Sequence, residues 1–197
     1  MEQGSNTMSL VSQLSHDEIA EIGAKKLKSL GYIATFSNMN SAVAGERPDA
    51  LGIKSCGETF LIEAKTSRSD FLADLKKPWR QAGYAGLGHY RAYLTPKGLL
   101  SADEIPYGWQ LWEVHGKTKP IVKVVKGRIK QADPSGRTTW KAWVNVNCDS
   151  EEYNHFRSKA SNRSALGLLA TVISRMNAEG IDTQQFASRN GQGFLQR

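Results

Sequence analysis

The sequence predicts an α/β protein with a mixed β-sheet flanked by helices, to which a C-terminal β-hairpin and a further helix are added. Short runs rich in β-branched and aromatic residues alternate with amphipathic segments of helical period, and turn residues separate them. A basic segment with hairpin spacing follows the last of these alternations. Strands and helices that alternate along a chain pack as a sheet covered by helices.

The N-terminal half is predicted to contain one helix and three strands. An apolar stripe of helical period covers residues 15–30, and Gly31 is expected to end that helix. Alternating apolar positions and β-favouring residues indicate the strands. The strands cover 32–36, 49–53 and 59–66, with a polar leader at 1–14, a loop at 37–46 and a turn at 54–58.

The C-terminal half continues the alternation. A helix is predicted over 69–80, where Ser67 or Ser69 caps it and Pro78 kinks or ends it. Strands follow at 89–94 and 109–114, then a hairpin of 120–126 and 138–146 around a turn at 133–136, and a helix over 164–176 with the stripe Leu166, Leu169, Ile173 and Met176. The chain is therefore divided into a leader (1–14), a core (15–115), a basic hairpin with a helix packed on the core (116–180) and a polar tail (181–197).

Two carboxylates and a lysine are expected to meet on the sheet. Because side chains alternate along a strand, Glu63 and Lys65 share a face, and hairpin pairing brings Asp49 beside them. Adjacent carboxylates repel each other, and Mg²⁺ is usually held by one or two carboxylates with water and substrate phosphate. The pattern predicts that Asp49, Glu63 and the Ala64 carbonyl bind a metal and that Lys65 orients a metal-bound water or offsets charge on a phosphate. The alternative is a surface hairpin whose Glu–Lys pair serves solubility.

The charge of the chain is concentrated near the predicted hairpin. The chain of 197 residues has a formal net charge of +7, and residues 117–141 alone contain eight basic residues and one acidic residue. Trp140 and Trp143 lie among them. Basic residues interleaved with aromatic ones are typical of a nucleic-acid contact, although a solvated hairpin has the same composition.

Composition argues against several other classes. No run of 18 apolar residues is present, so no membrane-spanning helix and no membrane partner are expected. The two cysteines, Cys56 and Cys148, are far apart and have no His or Cys at metal spacing. We therefore expect no zinc site, and we expect reduced thiols in a cytoplasmic protein.

A wider pattern surrounds these residues. Pro48-Asp49, followed fourteen positions after Asp49 by Glu63-Ala64-Lys65, resembles the PD-(D/E)xK nuclease superfamily, which has the restriction-endonuclease-like fold. The similarity extends to small phage and prophage proteins of this superfamily and covers about residues 15–114. The further matching segments are 16–19, 65–74, 76–78, 86–88, 90–96 and 98–99.

The resemblance implies a Mg²⁺- or Mn²⁺-dependent deoxyribonuclease that hydrolyses phosphodiester bonds in DNA processing, repair or host-DNA attack. By position, it implies that Asp49 and Glu63 bind the metal and that Lys65 is the catalytic lysine. It also implies an acidic residue from the first helix, and Glu18 is favoured over Glu21 because Glu18 lies nearer the apolar stripe. Ser15 and Glu18 have the spacing of a capping box as well.

Candidate DNA contacts lie around this site and on the hairpin, because helix N-termini and basic side chains bind phosphate. They are Arg47, Thr66, Ser67, Arg68, Lys76, Lys77, Arg80, Lys123, Lys126, Arg128 and Lys130. A homodimer is one of the assemblies that this interpretation allows, since cutting both strands of a duplex needs two sites. The alternative function is a catalytically silent module of the same fold that binds DNA or a host protein.

Overall fold

The computed structural model describes residues 14–38, 46–80, 86–116, 118–132, 138–144 and 160–181. Only the backbone is described for residues 128–132 and 138–144 and for Asn162. The predicted leader up to residue 13, the hairpin turn at 133–136, Cys148 and the tail from residue 182 lie outside these ranges. In the described part of the chain, no helix is both long enough and apolar enough to cross a membrane.

In the described residues, three α-helices and seven strands form the fold, which confirms the predicted α/β class. The helices are α1 (His16–Ser29), α2 (Arg68–Asp74) and α3 (Asn162–Ala178). The strands are β1 (Ala34–Ser37), β2 (Ala50–Ile53), β3 (Thr59–Ala64), β4 (Tyr90–Pro96), β5 (Trp109–His115), β6 (Ile121–Ala132) and β7 (Thr138–Val144).

The strands lie in one mixed sheet in the order of the sequence, from β1 to β7. Antiparallel pairing joins β1 to β2 and β2 to β3, and it also joins β5 to β6 and β6 to β7. The pairs β3–β4 and β4–β5 are parallel. The predicted hairpin therefore continues the central sheet through β6, and the carboxyl ends of β3 and β4 reach the same edge.

Apolar side chains cover both faces of the sheet. On one face, Ile19 and Leu27 of α1 pack against a cluster that includes Phe60 and Ile62. On the opposite face, Leu51 and Leu61 belong to a cluster that includes Phe71 of α2 and Leu168 of α3. Successive residues of β2 and β3 therefore point to opposite cores, as the period of a strand requires. This alternation fixes the face on which Asp49 and Glu63 lie.

The second helix is shorter than predicted. α2 ends at Asp74, and a separate 3-10 turn covers Pro78–Arg80. Proline lacks the backbone N–H of a helix interior and disfavours helical geometry in the residue before it, so one helix does not continue to Arg80. The break places Lys77 and Arg80 beside the end of α2 rather than along its outer surface.

The predicted apolar stripe of α3 was correct only in part: Leu169 packs against the core and Met176 is partly buried, but the other two residues are exposed. Leu166 is 66% exposed and Ile173 is 47% exposed, whereas Leu168 is completely buried. The buried side of the helix includes Ser164, and the partly buried Thr171 also lies there; their hydroxyls donate to Ser161 Oγ and to the Gly167 carbonyl. Because small and polar residues form much of the buried side, hydropathy alone predicts a different side of the helix as the buried one.

Candidate functional site

Two neighbouring strands bring Asp49 and Glu63 together. The antiparallel register pairs Ala50 with Ile62, so the preceding residue Asp49 lies beside Glu63. Asp49 Oδ2 accepts a hydrogen bond of 2.8 Å from the backbone N–H of Ala64, which ties this carboxylate to the end of β3. The juxtaposition predicted from the sequence is present, while the role of these residues as metal ligands stays a prediction.

Glu63 lies in a buried environment between two cations. Its side chain is 3% exposed; Oε2 lies 3.3 Å from Lys65 Nζ, and Oε1 lies 2.9 Å from Arg80 Nη2. The Arg80 contact is an ion pair without hydrogen-bond alignment, because Oε1 accepts no hydrogen bond within the described residues. Burial raises the pKa of Glu63 to about 7, with Asp49 and Asp74 adding to the increase and Arg80 and Lys65 opposing it.

Lys65 is as buried as Glu63, so the alternative of an exposed, solubilising Glu–Lys pair is wrong. The Lys65 side chain is 3% exposed, and its Nζ lies 3.3 Å from Glu63, 3.6 Å from Asp74 and 3.8 Å from Asp70. Burial would lower the pKa of Lys65, but Glu63, Asp74 and the other nearby carboxylates raise it above its usual value. These carboxylates therefore favour the ammonium form of the side chain.

Asp74 is a central residue of the site that the sequence analysis missed. It is completely buried at the end of α2, where Oδ2 accepts hydrogen bonds from Arg80 Nε at 2.7 Å and from the Tyr93 hydroxyl at 3.0 Å. Its Oδ1 lies 2.7 Å from Lys77 Nζ. Burial would raise the pKa of Asp74, but Arg80, Lys65 and Lys77 hold it well below its usual range. An acidic residue three positions after Phe71, on the same side of α2, was the available signal.

Arg80 connects three carboxylates inside the site. Its side chain is 3% exposed, and Nη1 donates to Glu46 Oε1 at 2.5 Å in addition to its contacts with Glu63 and Asp74. The guanidinium also lies over the Trp109 ring, 4.8 Å from the centroid. The sequence analysis placed Arg80 among the DNA contacts, whereas in the structure its guanidinium is held by acidic partners. The bend at Pro78 turns it inward.

Glu46 was also missed, because the sequence placed it at the end of a polar loop. It is completely buried, and its Oε2 accepts a hydrogen bond of 2.7 Å from the backbone N–H of Leu87. Arg91 lies near the same carboxylate; burial lowers the pKa of Arg91 and Glu46 opposes that shift. We call this set of side chains the buried ionic cluster: Glu46, Glu63, Lys65, Asp74 and Arg80.

The first helix contributes His16 rather than an acidic residue to the contacts of Asp49. His16 Nε2 lies 3.2 Å from Asp49 Oδ2, and the hydrogen bond with Asp49 raises the pKa of His16 to about 9. The Glu18 carboxylate instead accepts hydrogen bonds from the Ser15 backbone N–H at 2.7 Å and the Ser15 hydroxyl at 2.8 Å. Glu21 is exposed beside Lys25. A ligand role for Glu18 or Glu21 stays a prediction.

The candidate DNA contacts near the site differ in how free they are. Arg47, Thr66 and Lys76 are exposed. Three others have partners: Ser67 Oγ caps α2 through the Asp70 N–H, Arg68 pairs with Glu104, and Lys77 pairs with Asp74. On β6, Lys123 is exposed and Lys126 donates to the Ile105 carbonyl at 2.9 Å. The side chains of Arg128 and Lys130 lie outside the described part of the chain.

The donor chemistry of the site fits a hard divalent cation. Both contacts of Asp49 use Oδ2, which leaves Oδ1 for a cation. Both oxygens of Glu63 already face cations, Oε1 toward Arg80 and Oε2 toward Lys65, although Oε1 accepts no hydrogen bond within the described ranges. Mg²⁺ and Mn²⁺ prefer such oxygens, and Mg²⁺ completes its shell with water and phosphate. Among the described residues, no group of three or more His, Cys, Asp or Glu side chains is arranged to hold a metal ion by itself.

Comparison with known proteins identifies a structural neighbour. The fold and site define an α/β protein with a buried ionic cluster at the edge of a mixed sheet. The chain is similar to a protein of unknown function from Silicibacter pomeroyi, SPO1766, with a TM-score of 0.51 and 20% sequence identity over 93% of this chain and 99% of that chain. No protein-family profile and no curated protein sequence matches the chain. The similarity shows a shared fold.

Proposed function

We propose that the protein is a metal-dependent DNA nuclease that hydrolyses phosphodiester bonds and has a restriction-endonuclease-like core. One observation carries the proposal: Asp49 and Glu63 lie side by side at a sheet edge, with the Lys65 ammonium 3.3 Å from Glu63 Oε2. Two carboxylates and a lysine so arranged are suited to phosphodiester hydrolysis. DNA processing, repair or host-DNA attack in the cytoplasm is part of this proposal.

In this mechanism Asp49 and Glu63 would hold Mg²⁺ or Mn²⁺, and the Ala64 carbonyl would be a further ligand. The bound metal would supply a polarised phosphate and an activated water. His16 and the Ala64 N–H orient Asp49 through Oδ2. Arg80 and Lys65 flank Glu63, and the Lys65 ammonium offsets the negative charge that develops on the phosphate.

The test is cleavage of plasmid, linear duplex, single-stranded and four-way-junction DNA with Mg²⁺, Mn²⁺ or EDTA. Lys65→Met keeps most of the side-chain volume and removes the charge, and we expect it to lower the rate by at least about 100-fold. Lys25→Met, on the exposed surface of α1, is the matched control and should cut like the wild type. Because Lys65 pairs with buried carboxylates, each variant is assayed below its own melting temperature.

Wild-type-like cutting by folded Lys65→Met would rule out this mechanism. Cutting that persists in EDTA would rule out the metal. Metal-dependent cutting that is absent in Lys65→Met and present in Lys25→Met would support the proposal, and the preferred substrate would then indicate the pathway.

A second candidate is a catalytically silent module of the same fold that binds DNA or a host protein. The observation that favours it is that both carboxylates already have cationic partners: His16 contacts Asp49, and Lys65 and Arg80 contact Glu63. A site neutralised in this way does not need a metal to be stable. This candidate predicts no cutting of any substrate and equal DNA binding with and without chelator.

A further inference from the structure

A small basic pocket adjoins the buried ionic cluster. It has a volume of about 200 Å³ and is lined by Arg47, Lys77, Trp79 and Arg80. Arg47 immediately precedes Pro48-Asp49, and the other three residues belong to the bend that follows α2. One wall of the pocket is the Arg80 side chain, whose Nη2 lies 2.9 Å from Glu63 Oε1. A ligand in the pocket would therefore lie next to the candidate site.

The charge of the pocket favours an anion. Three of the four lining residues are cationic, and none is acidic. Arg80 is engaged with buried carboxylates, and Lys77 Nζ contacts Asp74 Oδ1 at 2.7 Å while the side chain remains 42% exposed. Arg47 is exposed and forms no ion pair with any described residue. Its guanidinium has the fork of N–H donors that matches a phosphate.

Trp79 adds an aromatic surface to this charge. The indole is half-buried, and it belongs to neither of the two apolar clusters that cover the faces of the sheet. Lys77 Nζ lies 5.9 Å from the ring centroid, so the ring is held beside a cation at the pocket. A tryptophan that does not fill the core, placed in a pocket with the exposed Arg47 and the partly exposed Lys77, is suited to stacking on a nucleobase.

We propose that this pocket binds one unstacked nucleotide of single-stranded DNA, with its base on the Trp79 indole and its phosphate at Arg47 and Lys77. The choice of nucleic acid as the ligand rests on the proposed nuclease function. A base inside a duplex has both faces covered by its neighbours, so it cannot stack on Trp79. The pocket therefore selects DNA that has an unpaired segment next to the phosphate to be cut.

The test measures binding without catalysis. A fluorescent oligothymidylate is titrated with protein in EDTA at fixed salt, since affinity for DNA depends on salt concentration. Trp79→Ala should weaken binding by about 5- to 150-fold, the range found when a stacking aromatic is removed. Trp79→Phe should retain most of the affinity. Tyr107→Ala, which removes an exposed aromatic far from the pocket in sequence, is the matched control and should bind like the wild type.

Two further ligands assign the loss to the base. A blunt duplex should bind Trp79→Ala and the wild type equally. An oligonucleotide of abasic sites should bind the wild type as weakly as oligothymidylate binds Trp79→Ala, and Trp79→Ala should then cause no additional loss. The abasic comparison uses the wild-type protein, so it tests the pocket even if Trp79→Ala fails to fold.

Unchanged oligothymidylate binding by folded Trp79→Ala, or an equal loss for the duplex, would overturn the pocket. If the wild type also binds the abasic oligonucleotide as tightly as oligothymidylate, base stacking is excluded. If single-strand binding depends on Trp79 but the protein cuts no substrate, nucleotide binding in the pocket is supported and the proposed nuclease activity is ruled out. If Trp79→Ala cuts DNA like the wild type, the proposed nuclease activity is supported and nucleotide binding in the pocket is ruled out.

Discussion

Two groups of acidic side chains in this molecule have opposite surroundings. Glu18 lies in solvent at the start of α1 and bonds to Ser15, three positions away. In the buried ionic cluster, Arg80 bonds to Glu46 across 34 positions, and the Leu87 N–H bonds to Glu46 across 41 positions. The first carboxylate is held by local geometry and the second by the tertiary fold. Removing the Glu18 carboxylate should therefore lower the free energy of unfolding much less than removing a carboxylate of the buried ionic cluster.

The largest effect on stability is expected at Asp74. Asp74→Ala removes one of the three carboxylates around Arg80 and takes away the acidic partner of Lys77 and the acceptor of the Tyr93 hydroxyl. The loss of one partner from a buried ion pair costs about 3–5 kcal/mol. Urea unfolding followed by circular dichroism measures this free energy. Asp70→Ala is the matched control, because Asp70 is exposed and lies 3.8 Å from Lys65, which Asp74 also contacts, and it should cost less than about 1 kcal/mol. Equal costs for both variants would contradict the distinction between the two groups.

An intermediate effect is expected at Glu18. Glu18→Ala should lower the free energy of unfolding by about 0.5–2 kcal/mol, the usual cost of a lost N-cap interaction. Glu18→Gln preserves the capping box, so we expect it to keep stability, and its cleavage rate then tests the predicted ligand role separately. A stable Glu18→Gln protein that no longer cuts DNA would instead show that the carboxylate binds the metal.

The smallest effect is expected at Glu21. Its carboxylate lies 4.0 Å from Lys25 Nζ in an exposed pair along α1. Pairs of this kind contribute about 0.2–0.5 kcal/mol, so Glu21→Ala should unfold almost like the wild type and cut at the same rate. A loss of cleavage with unchanged stability would restore Glu21 as the acidic residue of the site.

The sequence predicted the part of the site that depends on local rules. The period of two along a strand and a short hairpin are enough to bring Asp49 beside Glu63. The same alternation is seen at Leu51 and Leu61, which belong to one apolar cluster on a single face of the sheet. Helix α1 was also predicted closely, because its apolar stripe, its N-terminal Ser15 and the final Gly31 are all local signals.

The rest of the site depends on contacts that no local pattern encodes. Glu46 ended a polar loop in the sequence, and its burial follows from contacts with Arg80 and Leu87 after the chain has folded. Asp74 became central because Pro78 ended the helix early and turned Arg80 toward it. His16 contacts Asp49 across 33 positions of sequence, and no local pattern predicts that contact. The local spacing of Ser15 and Glu18 predicts only the capping box. The polar partners of buried charges were therefore the least predictable feature.

Arg80 is a wall shared by the basic pocket and the buried ionic cluster. A change at this position would alter ligand preference, the charge around Glu63 and the stability of the fold at the same time. Arg47 and Trp79 also line the pocket, and neither forms an ion pair with the cluster in the described structure. An engineer who wishes to change the ligand preference of the pocket should therefore vary Arg47 and Trp79 and leave Arg80 in place.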